Sequence, residues 1–108
     1  MADHRIYVFD LDGTLCDTVG QDYLRAIPWV DRIAVVNKLF DEGHTIIIDS
    51  ARGTLTGTPW YDRTEGQLAS WGVRYHRLRT GLKIYGDIYV DDRAVGACEF
   101  FFENGNQP

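Results

Sequence analysis

Blocks of apolar and polar residues alternate along the chain, and their spacing predicts strands and helices in turn. Two short β-rich apolar runs, Ile6–Phe9 and residues 44–49, each end in polar residues, as buried parallel strands do. Apolar residues recur at helical spacing over residues 27–42, with Pro28 in the first turn, and again over residues 61–71. Up to residue 71 the pattern therefore predicts strand, helix, strand and helix.

The remaining residues carry weaker patterns. Residues 73–78 fit a short strand, and residues 87–90 fit a further strand that runs directly into an acid pair. Residues 94–102 are apolar but too irregular to assign, and residues 104–108 are expected to fray. Elements in this order predict an α/β fold, a three-layer Rossmann-like parallel sheet covered by helices on both faces. Ligands of such sheets bind outside the carboxyl ends of the strands.

Length and composition favour one folded domain. The 108 residues, of which 44% are hydrophobic and 25% charged, fit a single globular unit over residues 1–108. No apolar run approaches the roughly 20 residues of a membrane span, and the first residues lack the apolar core of a secretory signal. We expect a soluble, cytoplasmic protein with no membrane partner. Cys16 and Cys98 show no metal-binding spacing and are expected to be free thiols.

The charge balance bears on nucleic acid as a partner. A formal net charge of −5 disfavours broad binding to nucleic acid, because that binding relies on Lys and Arg to neutralise phosphates. A local patch from Arg74 to Lys83, which also holds a histidine and two further arginines, points the other way. A nucleic-acid partner therefore stays open but is not favoured.

The candidate chemistry begins where the first strand ends. Asp10 and Asp12 leave this strand two residues apart, and like charges so close are costly unless a cation joins them, for which Mg²⁺ is the natural candidate. An isolated Asp-x-Asp is more often a loop cap. Here Gly13 and Thr14 extend it to Asp-x-Asp-Gly-Thr, which should occur by chance at about 10⁻⁵ per position. The pattern therefore favours a site.

Residues 8–15, Val-Phe-Asp-Leu-Asp-Gly-Thr-Leu, resemble the first motif of the haloacid dehalogenase (HAD) superfamily of phosphohydrolases. The resemblance implies a HAD-like core in which Asp10 attacks phosphorus and forms an aspartyl-phosphate. Asp12 would protonate the leaving group and then activate water. The resemblance also implies phosphate contact at Gly13 and a supporting position for Thr14.

Two further motifs of the family can be matched in order. Ser50, at the end of the second strand, matches the Ser or Thr that binds the phosphoryl group. Lys83 matches the Lys that neutralises this group, because Lys38 lies within a predicted helix. Lys83 lacks the Gly-Lys-Pro context that many relatives have. Arg52, at the mouth of the expected site, could hold the phosphate or leaving group of a substrate.

The last motif of the family is an acid pair after a strand, and Asp91 and Asp92 match it. The resemblance implies that Mg²⁺ is held by Asp10, the backbone carbonyl of Asp12 and Asp91. Asp92 would orient Lys83 or a metal-bound water. Asp87 competes with Asp91, but it begins the predicted strand instead of ending it. A phosphorelay receiver domain uses similar residues, but its phosphorylated Asp comes later and its Lys comes last, so the order favours the phosphohydrolase.

Substrate choice in this superfamily usually depends on cap insertions, and the gaps between the motifs here leave no room for one. An open site would admit a large phosphorylated substrate or would be closed by another subunit, so a homo-oligomer stays open. Residues 46–71 and 91–93 are similar to small capless phosphatases of capsular polysaccharide synthesis and, more distantly, to the phosphatase half of polynucleotide kinase-phosphatase.

We therefore predict an Mg²⁺-dependent phosphomonoesterase that acts on a sugar- or glycan-phosphate. The alternatives are a polynucleotide 3′-phosphatase and a non-catalytic module of the same fold that only binds phosphate. Trp60, Tyr61 and Arg63 could form a substrate wall, although packing against the second helix is the commoner outcome for such residues.

Overall fold

A computed structural model describes residues 3–105. The elements in chain order are β1 (Ile6–Phe9), β2 (Cys16–Asp17), a 3₁₀ turn (Tyr23–Arg25), β3 (Ile27–Pro28), α1 (Val30–Asp41), β4 (Thr45–Ser50), α2 (Tyr61–Ser70), β5 (Arg77–Thr80) and α3 (Ala97–Gly105). β1, β4 and β5 form a parallel sheet in that order, and β2 pairs with β3 as a small antiparallel flap. The predicted parallel α/β architecture is confirmed.

The helices pack on one face of this sheet. α1 connects β1 to β4 and α2 connects β4 to β5, so two right-handed crossovers in the same direction place both helices on the same side. α3 joins them through Phe100 and Phe101, whose rings lie 5.6 and 6.0 Å from that of Phe9. The core consists of Phe9, Leu11, Leu15, Cys16, Ile33, Val35, Val36, Leu39, Ile46, Ile48, Leu68, Val73, Leu78 and Phe101.

The opposite face of the sheet is largely open. Ile6 and Val8 project from it and remain 64% and 61% exposed. The expected second covering layer is therefore not formed within residues 3–105, and the three-layer prediction is wrong for this part of the chain. The physical reason lies in residues 81–96, which form no helix or strand and so provide nothing to cover that face.

The strand predicted over residues 87–90 is wrong. Ile88 and Val90 are exposed, and the Tyr89 hydroxyl donates to the carbonyl of Ile84 at 2.7 Å and accepts from the amide of Gly86 at 2.8 Å. The segment is thus closed on itself as a loop instead of pairing with the sheet. A β-rich sequence becomes a strand only where a partner edge accepts its backbone hydrogen bonds.

Two element boundaries differ from the sequence predictions, and one segment without a prediction is helical. The first long helix begins at Val30, because Ile27 and Pro28 pair with Cys16 and Asp17 in the flap. The strand expected over residues 73–78 lies at Arg77–Thr80, where it pairs with β4. The unassigned apolar tail is helical from Ala97, because its aromatic residues find a docking site on β1 and α1.

The thiols match the prediction, since Cys16 is buried and free and Cys98 is exposed and free. Burial raises the pKa of Cys16 to about 11, so its thiol stays neutral near neutral pH and is a poor nucleophile. Within residues 3–105, no helix has both the length and the apolar character needed to cross a membrane. The predicted fraying concerns residues 104–108, of which the last three lie outside the described residues, while Asn104 and Gly105 belong to α3.

Candidate functional site

The turn after β1 positions both predicted catalytic carboxylates. The carbonyl of Leu11 accepts hydrogen bonds from the amides of Thr14 at 3.1 Å and Leu15 at 2.8 Å, which reverses the chain tightly. Gly13 has φ +82°, a conformation that side-chain-bearing residues rarely adopt, so its place in the motif serves the turn itself. The Thr14 hydroxyl donates to Asp10 Oδ2 at 3.3 Å and so supports this carboxylate.

Asp12 is held by an arginine from 40 residues further along the chain. Arg52 Nε donates to Asp12 Oδ2 at 2.9 Å and Nη2 donates to Oδ1 at 2.8 Å, a two-point ion pair. The Thr18 hydroxyl adds a hydrogen bond to Oδ1 at 2.6 Å. Because the Arg52 side chain is only 1% exposed, this pairing also compensates the cost of burying its charge.

The same guanidinium connects the site to α2. Arg52 Nη1 donates to Thr64 Oγ1 at 3.2 Å and to Gln67 Oε1 at 2.7 Å. Gln67 in turn donates to the backbone carbonyl of Tyr23, whose ring centroid lies 4.7 Å from Arg52 Cζ. Arg52 therefore organises Asp12 and α2, while its predicted contact with a substrate stays a prediction.

The electrostatic balance keeps Asp12 ionised. Burial on its own raises the pKa of this carboxyl, but the hydrogen bonds from Arg52 and Thr18 and the charge of Arg52 together lower the pKa below the usual 3.8. Asp12 therefore carries a full negative charge at neutral pH, and the same contacts make it a weaker base than a free carboxylate.

Lys83 reaches the other carboxylate across 73 residues of sequence. Its Nζ lies 3.1 Å from Asp10 Oδ1, and both side chains remain partly exposed to the cavity. The structure thus brings together Asp10 and Lys83, which the sequence had matched to separate motifs. Asp10 and Asp12 are thus each paired with a cationic side chain from a distant part of the sequence, Lys83 and Arg52 respectively.

Four other predicted site residues do not line the cavity beside these carboxylates, namely Ser50, Asp87, Asp91 and Asp92. Ser50 is buried at the end of β4, where its hydroxyl accepts a hydrogen bond from the amide of Arg52 at 3.1 Å. Asp91 is exposed, and its carboxylate accepts a hydrogen bond from the amide of Arg93 at 2.7 Å. Asp87 and Asp92 are also exposed and do not line the cavity.

The acids implied for Mg²⁺ are not assembled here. Nowhere in residues 3–105 do three or more His, Cys, Asp or Glu side chains form a group that could hold a metal ion. Asp10 presents a carboxylate to the cavity, but Asp91 is not one of the residues that line it. As the chain is arranged, Asp91 therefore does not join Asp10 and the backbone carbonyl of Asp12 at one magnesium site.

A cavity of about 390 Å³ opens above the carboxylates. Its charged side chains are Asp10, Asp12, Arg52 and Lys83, and its aromatic side chains are Tyr23, Trp60, Tyr85 and Tyr89. Sequence reasoning considered only Trp60 among these aromatic residues. The three tyrosines carry no motif, and only folding brings them to the carboxyl end of the sheet.

The basic patch from Arg74 to Lys83 is largely neutralised by neighbours. Arg74 pairs with Asp41 at 2.7 Å, Arg79 lies 3.6 Å from Asp49, and Lys83 pairs with Asp10. These carboxylates offset the positive charge that a nucleic-acid backbone would need. The patch therefore adds little support for nucleic-acid binding.

Comparison with known proteins supports the fold. The chain is similar to a crystal structure from Vibrio cholerae, described only as an MCSG target, with a TM-score of 0.71 and 29% sequence identity. The match covers 89% of this chain and 86% of that one. No protein-family model matches the chain. No curated protein matches it either.

Proposed function

We propose that this protein is a phosphomonoesterase of the HAD type, which hydrolyses its substrate through an aspartyl-phosphate on Asp10. The observation that carries the proposal is the pair of carboxylates at the carboxyl end of β1, with Lys83 beside Asp10 and Arg52 beside Asp12. Two acids with different partners in one cavity suit a reaction that needs both a nucleophile and a base.

In the first step, a carboxylate oxygen of Asp10 attacks phosphorus while the bond from phosphorus to the ester oxygen breaks. The products are an acyl phosphate on Asp10 and an alkoxide, which takes a proton from Asp12 or from a water molecule and leaves as the alcohol. Lys83, 3.1 Å from Asp10, is placed to attract the phosphoryl oxygens and reduce their repulsion from the nucleophile. Thr14 holds the other oxygen of Asp10.

In the second step, water hydrolyses the acyl phosphate and releases inorganic phosphate. Asp12 is ionised and so can take the proton of the water, but its lowered pKa makes it a weak base as long as Arg52 is paired with it. The acid role that the resemblance implies for the first step needs a protonated Asp12, and the ion pair with Arg52 opposes that state. Arg52 and Asp12 must therefore separate, or another donor must supply the proton.

A requirement for Mg²⁺ remains part of this proposal and rests on the resemblance. Mg²⁺ would supply charge neutralisation between nucleophile and phosphoryl group when bound. The carboxylate of Asp10 already faces the cavity and would hold the ion, whereas Asp91 would first have to move towards Asp10.

A sugar- or glycan-phosphate is the substrate class that we favour. Between Thr14 and Ser50 the chain forms only the β2–β3 flap, a 3₁₀ turn and α1, and between Ser50 and Lys83 only α2 and β5. No cap is therefore built from these segments, and a large substrate has access. The neutralised basic patch makes a polynucleotide 3′-phosphate the second choice.

Turnover of p-nitrophenyl phosphate with and without Mg²⁺ tests the proposal. We expect Mg²⁺-dependent hydrolysis in the wild type, loss of at least about 10³-fold in Asp10→Asn, and wild-type rates in Asp31→Asn, an exposed acid on α1. Retained turnover in folded Asp10→Asn protein would exclude Asp10 as the nucleophile. Phosphate binding without turnover in the wild type would instead identify a binding module.

A further inference from the structure

Aromatic side chains line the cavity next to its charged groups. The rings of Tyr23 and Trp60 pack edge to face with centroids 5.0 Å apart, and the Tyr23 ring lies 4.7 Å from the guanidinium carbon of Arg52. The Tyr89 ring lies 5.3 Å from the ammonium of Lys83. The aromatic surface thus begins at the two cations that accompany the reacting carboxylates.

This surface is held in place before any substrate arrives. The Tyr89 hydroxyl is fixed by Ile84 and Gly86, and the backbone of Tyr23 is held by Gln67. Trp60 packs closely against the loop before it, because a Cβ on Gly53 would overlap the carbonyl of Thr58 and lie 3.4 Å from the Trp60 ring. Rings fixed in advance lose little freedom on binding, so their contacts add to affinity.

The position of the rings indicates which part of a substrate they touch. A phosphoryl group at Asp10 and Lys83 would lie in the same cavity as both rings, with Tyr89 beside Lys83 and Tyr23 beside Arg52. In a 5′-nucleotide the phosphate is carried on a carbon outside the ribose ring, and the ribose separates it from the base. In a sugar 1-phosphate the ring carries the phosphate directly. Polar side chains of Gln21, Thr56 and Thr58 also line the cavity and offer partners for hydroxyl groups.

We infer that Tyr23, Trp60 and Tyr89 form a ring-binding wall that selects phosphate monoesters carried directly on a polyhydroxylated sugar ring. This inference rests on the proposed phosphatase function and narrows its substrate class. It also gives Trp60 the role of a substrate wall, the less common of the two roles that its sequence context allowed.

Calorimetric titration of the Asp10→Asn variant without added Mg²⁺ tests this inference apart from turnover. The probes are glucose 1-phosphate, glycerol 3-phosphate, adenosine 5′-monophosphate and inorganic phosphate. We expect glucose 1-phosphate to bind about 10-fold more tightly than glycerol 3-phosphate and more tightly than the nucleotide. Equal affinities, or preference for the nucleotide, would overturn the inference.

Variants of Tyr23 distinguish the contribution of its ring to binding from that of its hydroxyl group. In the Asp10→Asn background, Tyr23→Leu should weaken glucose 1-phosphate binding about 10-fold, whereas Tyr23→Phe should leave this affinity unchanged. Both variants should bind inorganic phosphate with unchanged affinity. If Tyr23→Leu does not fold, the binding affinities of Trp60→Leu and Trp60→Phe provide the same comparison. Equal binding by the Leu and Phe variants would contradict a stacking role. Absence of p-nitrophenyl phosphate hydrolysis by the wild type would contradict the proposed function alone.

Discussion

The ion pair between Asp12 and Arg52 links acid stability to the site. Asp12 has a lowered pKa in the folded state, so the unfolded chain binds its proton first as the pH falls. The stabilisation is complete above the unfolded value near 3.8 and is lost as pH falls through the lower folded value. As the pH falls from about 5 to about 3, we expect the free energy of unfolding to decrease less in Asp12→Asn than in the wild type.

Urea unfolding at several pH values, with Asp31→Asn as control, measures this difference. Asp31 is an exposed acid on α1, and its replacement should leave the pH dependence as it is in the wild type. An unchanged pH dependence in Asp12→Asn would contradict the stabilising role of the pair.

The role of Arg52 in this hydrogen-bond network depends on the shape of its side chain as much as on its charge. Lysine cannot donate to both oxygens of Asp12 and also to Thr64 and Gln67, so the network would open although the charge remains. We expect Arg52→Lys to lower kcat/KM for p-nitrophenyl phosphate by about 10- to 100-fold. Arg74→Lys, in an exposed pair with Asp41, should change it less than 2-fold. Similar rates for both variants would contradict the role of the network.

Single residues were predictable where a motif carried them. Asp10, Asp12 and Thr14 lie within eight contiguous residues, and the order of motifs along the chain identified Lys83. The partner of Asp12 was not predictable, because a contact across 40 residues depends on how α2 and β4 pack.

At the level of elements, predictions succeeded where packing and periodicity agree. β1, β4 and α2 lie close to their predicted positions, since their apolar residues face one common core. α3 was missed because Phe100, Phe101 and Phe102 are contiguous and show no helical spacing in the sequence. The strand over residues 87–90 failed because sequence propensity cannot show whether a sheet edge is available.

Docking of α3 should depend on one of its three phenylalanines far more than on another. Phe101 is 7% exposed and packs against Phe9, whereas Phe102 is 71% exposed. We expect Phe101→Ala to lower the free energy of unfolding by about 3 kcal/mol and Phe102→Ala by less than about 0.5 kcal/mol. Equal effects in urea unfolding would show that α3 does not dock as described.

Over the whole molecule, binding of Mg²⁺ and the arrangement of residues 81–96 should be coupled. Asp91 lies in this irregular segment, away from Asp10, so its participation requires the segment to move. We expect Asp91→Asn to raise the Mg²⁺ concentration for half-maximal turnover by about 10-fold, and Asp87→Asn to leave it unchanged. The reverse result would assign the metal contact to Asp87, and no effect of either would leave both acids outside the metal site.

The pairing of charges around the cavity also affects how substrate arrives. Two carboxylates and two cations cancel within the site, while the whole chain carries a formal charge of −5. A phosphate dianion therefore meets no attractive long-range field, and its encounter rate is set by ordinary diffusion against weak repulsion. Added salt screens that repulsion, so capture of substrate should become slightly faster, not slower, as ionic strength rises.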